Sequence, residues 1–220
     1  SGSNLLRLML NQHQGISAPH PPHILRTFMP LLSQYGDLEV RKNRFSLVDD
    51  VCHWVECNPV GWSSVNFDRN EITDKTTSLL DLFEVIYQQK CVADQAEIWC
   101  CKSTFNIQYT GALEKVIQPF YIYLYRDGRD VATSFKKAYV GPKHIYQIAQ
   151  KWHQEQIETA LFLSSLPSHR YIRISYEALI HDPEKTLHMI CEKIGIEFDD
   201  IMLDYFNSTE SLLTSRSGNM

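Results

Sequence analysis

The chain has 220 residues, 44% of them hydrophobic and 21% charged, with a formal net charge of -5. That composition excludes a disordered or fibrous chain, and the length suits one α/β domain with a substantial core. Net negative charge argues against wholesale nucleic-acid binding through bulk electrostatics, while leaving room for a local basic pocket.

In chain order, Asn4 to Gln12 reads as a helix that is apolar almost all round and therefore buried, with Gly15 just beyond its end. The run Ala18-Pro19-His20-Pro21-Pro22-His23 is a stiff loop, because prolines cannot sit in a helix interior. Pro22 is placed to open the helix that runs toward Ser33. Residues 43–57 and 75–90 read as helices, the second with Leu79, Leu82, Phe83 and Ile86 on one face. Glu97 to Cys101 reads as a short buried strand ending at Lys102, and Phe120 to Tyr125 as a central buried strand ending at Arg126. His144 to Leu163 is a long helix, and His169 to Ser175 a strand with Ile172 and Ile174 on one face. Asp182 and Pro183 start a last helix whose stripe is Leu187, Ile190, Cys191 and Ile194, with Gly195 ending it. Strands alternating with helices predict a three-layer α/β/α fold around a mostly parallel sheet. A single domain over residues 1–220 is expected, with a strand preceding Ser1 and further chain beyond Met220.

The six cysteines (Cys52, Cys57, Cys91, Cys100, Cys101, Cys191) contain no CxxC pair. Reduced thiols and a cytoplasmic setting are the simpler reading, and the even count keeps disulfides open. There is one N-x-S/T match, Asn207-Ser208-Thr209, and no apolar run long enough to span a membrane.

Two segments carry the features of a phosphate site. In Tyr125-Arg126-Asp127-Gly128-Arg129-Asp130-Val131-Ala132-Thr133-Ser134, a strand delivers Arg126 to its C-terminal end and the next helix returns the Ser134 hydroxyl. Ligands of open α/β sheets bind at those strand ends, and a guanidinium fork suits phosphate. A surface turn with an Arg–Asp pair is the plain alternative. Ser1-Gly2-Ser3-Asn4 leads straight into a buried helix, so its N–H groups, the Ser3 hydroxyl and the Asn4 amide suit an anion. Ser-Gly-Ser also resembles a cloning linker, and no Gly-Lys-Ser/Thr of a Walker A loop is present.

Together, these pieces and Tyr176-Glu177-Ala178-Leu179 with Asp182-Pro183-Glu184 resemble the sulfotransferase family, over nearly the whole chain. The resemblance implies a P-loop-like fold and 3′-phosphoadenosine 5′-phosphosulfate (PAPS) as sulfuryl donor, with no metal. It implies that Ser1, Gly2, Ser3 and Asn4 hold the 5′-phosphosulfate, that Arg126 and Ser134 hold the 3′-phosphate, and that Tyr176 lies near the adenine. A core tyrosine is the alternative for Tyr176. The family's usual Arg or Lys before Ser-Gly falls before Ser1. Arg216, in Ser215-Arg216-Ser217-Gly218, resembles the start of the loop that closes over the nucleotide, or is a solvated arginine in a tail.

Lys102 matches the family lysine at the bridging or sulfate oxygens. The histidine that follows that lysine by two positions in cytosolic members is Thr104 here. Other members place a glutamate shortly after the first helix, and His20 stands at that place. A histidine titrates near neutrality and a proline-braced loop would hold it rigidly, so His20 is the candidate base, with His23 its competitor. No third ligand joins this pair, so a zinc site is not expected. Two other readings remain: a small-molecule kinase using ATP, and a non-catalytic nucleotide-binding module. The acceptor is open among carbohydrate, phenol, lipid and peptide hydroxyls. Trp54, Trp62 and Phe67 are compatible with each, although core packing is their commoner role.

Overall fold

The structure, a computed structural model, describes residues 2–137, 141–207 and 211. The elements are α1 (Ser3–Leu10), β1 (Ile16–Ser17), α2 (Ile24–Phe28) continued by a 3₁₀ turn (Met29–Gln34), α3 (Arg41–Glu56), α4 (Arg69–Lys75) and α5 (Leu79–Ala93). There follow β2 (Ile98–Trp99), a 3₁₀ turn (Thr104–Tyr109), α6 (Thr110–Val116), β3 (Tyr121–Tyr125), α7 (Gly128–Lys137) and α8 (Ile145–Ser164). The last are β4 (Tyr171–Ser175), α9 (Tyr176–His181), α10 (Pro183–Ile194) and a 3₁₀ stretch (Asp200–Asn207). Strand pairing is parallel in both pairs described, β1 with β2 and β3 with β4, and the architecture is the α/β one expected. No helix among the described residues is long and apolar enough to cross a membrane.

The chain divides into two compact units, and the boundary falls within α1. The first comprises Ser1–Leu6 and Pro119–Leu203, the second Arg7–Gln118 and Asp204–Met220. In the first unit, β3 and β4 run parallel, and parallel strands need a long crossover, here containing α7 and α8. Ile172 and Ile174 of β4 are buried, with Leu179 of α9 and Leu187, Ile190 and Cys191 of α10. Asp182 caps α10 through the Lys185 N–H, Pro183 follows it, and Gly195 closes the helix in the left-handed region at φ 78°. The β3 strand is less buried than its apolar letters imply. Its tyrosines carry polar ends: Tyr123 donates its hydroxyl to Gln156, and Arg173 lies over the Tyr123 and Tyr125 rings.

The second unit has a helical core of α2, α3 and α5, centred on Leu25, Val48, Val51, Ile72, Leu82 and Ile86. The short β1–β2 pair is anchored to α5 by charge. Lys90 is 5% exposed and pairs with Asp94, which accepts from the Ser17 hydroxyl at 2.6 Å. An ion that deep is tolerable only when paired and hydrogen-bonded.

Three helix expectations are corrected. The first helix ends at Leu10, and Gly15 lies further on, in a turn whose N–H donates to His13 Nδ1 at 2.9 Å. Pro22 does not open a helix: His23 takes φ 56° and ψ 40°, turning the chain once more before α2 starts. The helix expected over 75–90 starts later, at Leu79 in α5: α4 ends at Lys75 and the chain is extended at Thr76. Asp68 caps α4, and Ser78 with Asp81 forms a reciprocal capping box on α5.

That capping box is testable. Ser78→Ala removes the acceptor for the Asp81 N–H and should cost about 1 kcal/mol, read as a lower midpoint in chemical denaturation of the purified chain.

Candidate functional site

In the first unit, the parallel register pairs Tyr125 with Ser175. Arg126 and Tyr176 are therefore the first residues past the C-terminal ends of adjacent strands, and the guanidinium lies 4.4 Å from the Tyr176 ring centroid. The next residues are joined too, the Asp127 N–H donating to Glu177 Oε1 at 3.0 Å. Tyr176 also packs against Gly2. A Cβ added to Gly2 would lie 1.9 Å from Tyr176 Cδ2 and 2.2 Å from Cε2, well inside any tolerable contact. The glycine is therefore required by its neighbour: its bare backbone admits the ring. Ser3 and Asn4 follow as the first residues of α1, at the positive end of the helix dipole.

The motif contains two arginines with opposite fates. Arg129 is 91% exposed and pairs with Asp127 at 2.6 Å, which draws that carboxyl down to about 2. This is the surface Arg–Asp pair that the turn allowed for. Arg126 is 24% exposed, its Nη2 is 3.7 Å from Asp130, and its Nε is buried with no hydrogen-bond partner among the described residues. A buried guanidinium N–H left unmatched is costly, and an incoming anion oxygen is the natural acceptor. Ser134 lies four residues beyond Asp130 on α7, exposed. Gly2, Ser3, Asn4, Arg126, Ser134 and Tyr176 thus all belong to the first unit, with Gly2, Tyr176 and Arg126 in contact. Ser1 and Arg216 lie outside the described residues.

In the second unit the same strand-end logic operates. Ser17 of β1 is in register with Trp99 of β2, and His20 and Lys102 each stand three residues past those positions. The strand expected over Glu97–Cys101 is shorter, so Lys102 leaves from a loop beyond its end. Lys102 is half-buried and makes no ion pair among the described residues. Burial and the neighbouring Arg7 guanidinium lower its pKa, partly opposed by the Cys101 thiol. His20 is pushed down to about 4 by burial, then by the charges of Arg7, Lys102 and His23. At neutral pH its imidazole is uncharged, and its Nδ1 is buried with no hydrogen-bond partner among the described residues. His23 is also lowered, by burial and by Lys102 and Arg26. Its Nδ1 is 3.0 Å from the Ser103 hydroxyl, and its ring meets Phe105 edge-on.

Arg7 is the functional candidate that the sequence reading passed over. It is 1% exposed, donates from Nη1 to the Ala18 carbonyl at 2.8 Å, and bears on both His20 and Lys102. Its signal was present: a single charge inside Leu5-Leu6-Arg7-Leu8-Met9-Leu10, a segment otherwise apolar on every side. Trp54 and Trp62 do more than pack. Their rings pack, but their N–H groups donate to the Pro22 and His20 carbonyls.

Comparison with known proteins follows from this geometry. The sequence pattern of a group described as the sulfotransferase family matches residues 1–200. Among solved structures, the chain is similar to a sulfotransferase domain from the curacin biosynthetic pathway, with TM-score 0.63 and 21% identity over 94% of this chain and 75% of that one. It is also similar to the sulfotransferase domain of the olefin synthase of Synechococcus PCC 7002, with TM-score 0.66 and 23% identity over 98% and 76%. At these identities the two likenesses establish the fold. No curated protein matches the chain by sequence.

Two outcomes test the two units. Gly2→Ala should destabilise the chain, whereas adding Gly2→Ala to Tyr176→Ala should cost much less than in the parent, a non-additivity readable in thermal melts. For His20, the folded value near 4 lies below the unfolded 6.5, so between them the unfolded state binds more protons. Its contribution is intact above pH 6.5 and is lost as the pH falls toward 4. The stability of a His20→Gln variant should therefore fall less steeply over that window than the parent's, as measured by denaturant midpoints at each pH.

Proposed function

The chain belongs to the sulfotransferase family, and from that membership we propose that it moves a sulfuryl group from PAPS to an acceptor hydroxyl or amine. The observation that carries the donor assignment is Arg126: a guanidinium at a parallel strand end, with a buried Nε that has no hydrogen-bond partner among the described residues. PAPS supplies the sulfuryl group, and 3′-phosphoadenosine 5′-phosphate (PAP) is the leaving group. Arg126 and Ser134 read the 3′-phosphate. Gly2, Ser3 and Asn4, with Ser1 before them, receive the 5′-side phosphate on helix N–H groups. Tyr176 lies on the nucleotide side of the same unit, and Arg216 is assigned to closing over it.

For the transfer, the acceptor oxygen bonds to sulfur as the bond from sulfur to the bridging phosphate oxygen breaks. His20 takes the acceptor's proton, and Lys102 stabilises the charge that develops on the bridging oxygen. The low pKa of His20 suits this order of events. An uncharged imidazole is available at neutral pH, and a donor anion offsets the repulsion from Arg7 and Lys102 that opposes its protonation. Residues 1–220 act in this reading as one sulfotransferase domain, which the family match across both units supports. Six free cysteines suit a reducing, cytoplasmic setting.

The test is PAP binding by calorimetry. Arg126→Ala should weaken PAP by roughly ten- to a hundredfold, the worth of a lost charge-assisted bond, and Ser134→Ala by roughly fivefold. Unchanged affinity in Arg126→Ala removes the assignment, and displacement of PAP by equimolar ATP would point to a kinase instead.

A further inference from the structure

The segment from Ala18 to His23 carries the proposed base, and its fixed shape has a cause outside itself. Pro19, Pro21 and Pro22 have no N–H to donate, so the loop is poor in the bonds that normally order a backbone. Its carbonyls are instead held by side chains at every second residue. The Ala18 carbonyl accepts from Arg7 Nη1 at 2.8 Å, the His20 carbonyl from Trp62 Nε1 at 2.7 Å, and the Pro22 carbonyl from Trp54 Nε1 at 2.6 Å. The Ala18 N–H donates to Asn11 Oδ1 at 2.7 Å. Both indoles are themselves seated, Trp62 edge-on to Tyr87 at 5.0 Å and Trp54 edge-on to Phe28 at 6.3 Å. Each donor is thus fixed before it meets its carbonyl, which is what a positioning group requires. An indole has a single donor, so both are committed to the loop.

We propose that Trp62 and Trp54 are positioning residues that clamp the His20 and Pro22 carbonyls and so hold the His20 imidazole inward, facing Arg7, Lys102 and His23. The proposal rests on reading His20 as the proton acceptor, and it identifies what keeps that group in place. Trp62 acts on the His20 peptide itself. Trp54 acts two residues later and should matter less. Ring packing alone predicts something different: any large apolar ring would serve at either position.

The experiment is a histidine ¹⁵N NMR titration of the full chain, with His20 assigned by its loss in His20→Gln. It compares the parent with Trp62→Phe, Trp54→Phe, and a protein carrying benzothienylalanine at position 62. That analogue keeps the shape of the indole and replaces its N–H by sulfur, so it serves if Trp62→Phe does not fold. In the parent, His20 should stay neutral down to about pH 4. With the position-62 donor removed, its midpoint should rise by about one unit or more toward the ordinary 6.5 as the ring reaches water, and by less in Trp54→Phe. A His20 titration unchanged in folded position-62 variants overturns the inference, as does a parent midpoint near 6.5. The titration needs no turnover and no donor, so it is separate from the donor assignment, which fails if the parent does not bind PAP. Once an acceptor is found, the position-62 variants should lose about tenfold in kcat with PAP affinity unchanged.

Discussion

The absence of a side chain at Gly2 is the constraint on which the first unit depends. The Tyr176 ring occupies the volume that a Cβ would need, and the Arg126 guanidinium covers the same ring. Three segments far apart in sequence, the start of α1 and the ends of β3 and β4, are thereby held in one arrangement. The cation lying over the ring adds attraction of about 1 kcal/mol. The same contact seats a long side chain whose buried Nε has no hydrogen-bond partner among the described residues.

The second unit organises its polar groups by repulsion. Arg7 and Lys102 are cations in a poorly solvated region, and they depress His20 while burial acts in the same sense. Such a cluster is unfavourable on its own, and the apolar core of α2, α3 and α5 carries that cost. Perturbed groups gathered at strand ends mark a candidate functional site. In the same unit Lys90, 5% exposed, pairs with Asp94.

Much of this was legible in the sequence because it depends on local pattern. Alternation of apolar runs with helical periods gave the α/β class, and the Asp182-Pro183 start and Gly195 stop of α10 were read correctly, since caps are short-range signals. Arg126 at a strand end was legible for the same reason. What escaped was set by tertiary contact. Nothing local reveals that Gly2 is required by Tyr176, 174 positions away. Nothing in Trp54 or Trp62 distinguishes a packed indole from one whose N–H is used. The αL turn at His23 escaped because a proline run suggested that the helix begins at once. Arg7 was legible, and its isolation among leucines was the clue.

The loop bearing His20 has a consequence for how such a loop changes over time. Its conformation is written at positions 7, 54 and 62, in stretches that are separate from it and from one another. Transplanting residues 18–23 into a related scaffold would carry the letters without the shape. Drift at any of the three remote donors would alter the histidine's setting while leaving its own neighbourhood in the sequence untouched.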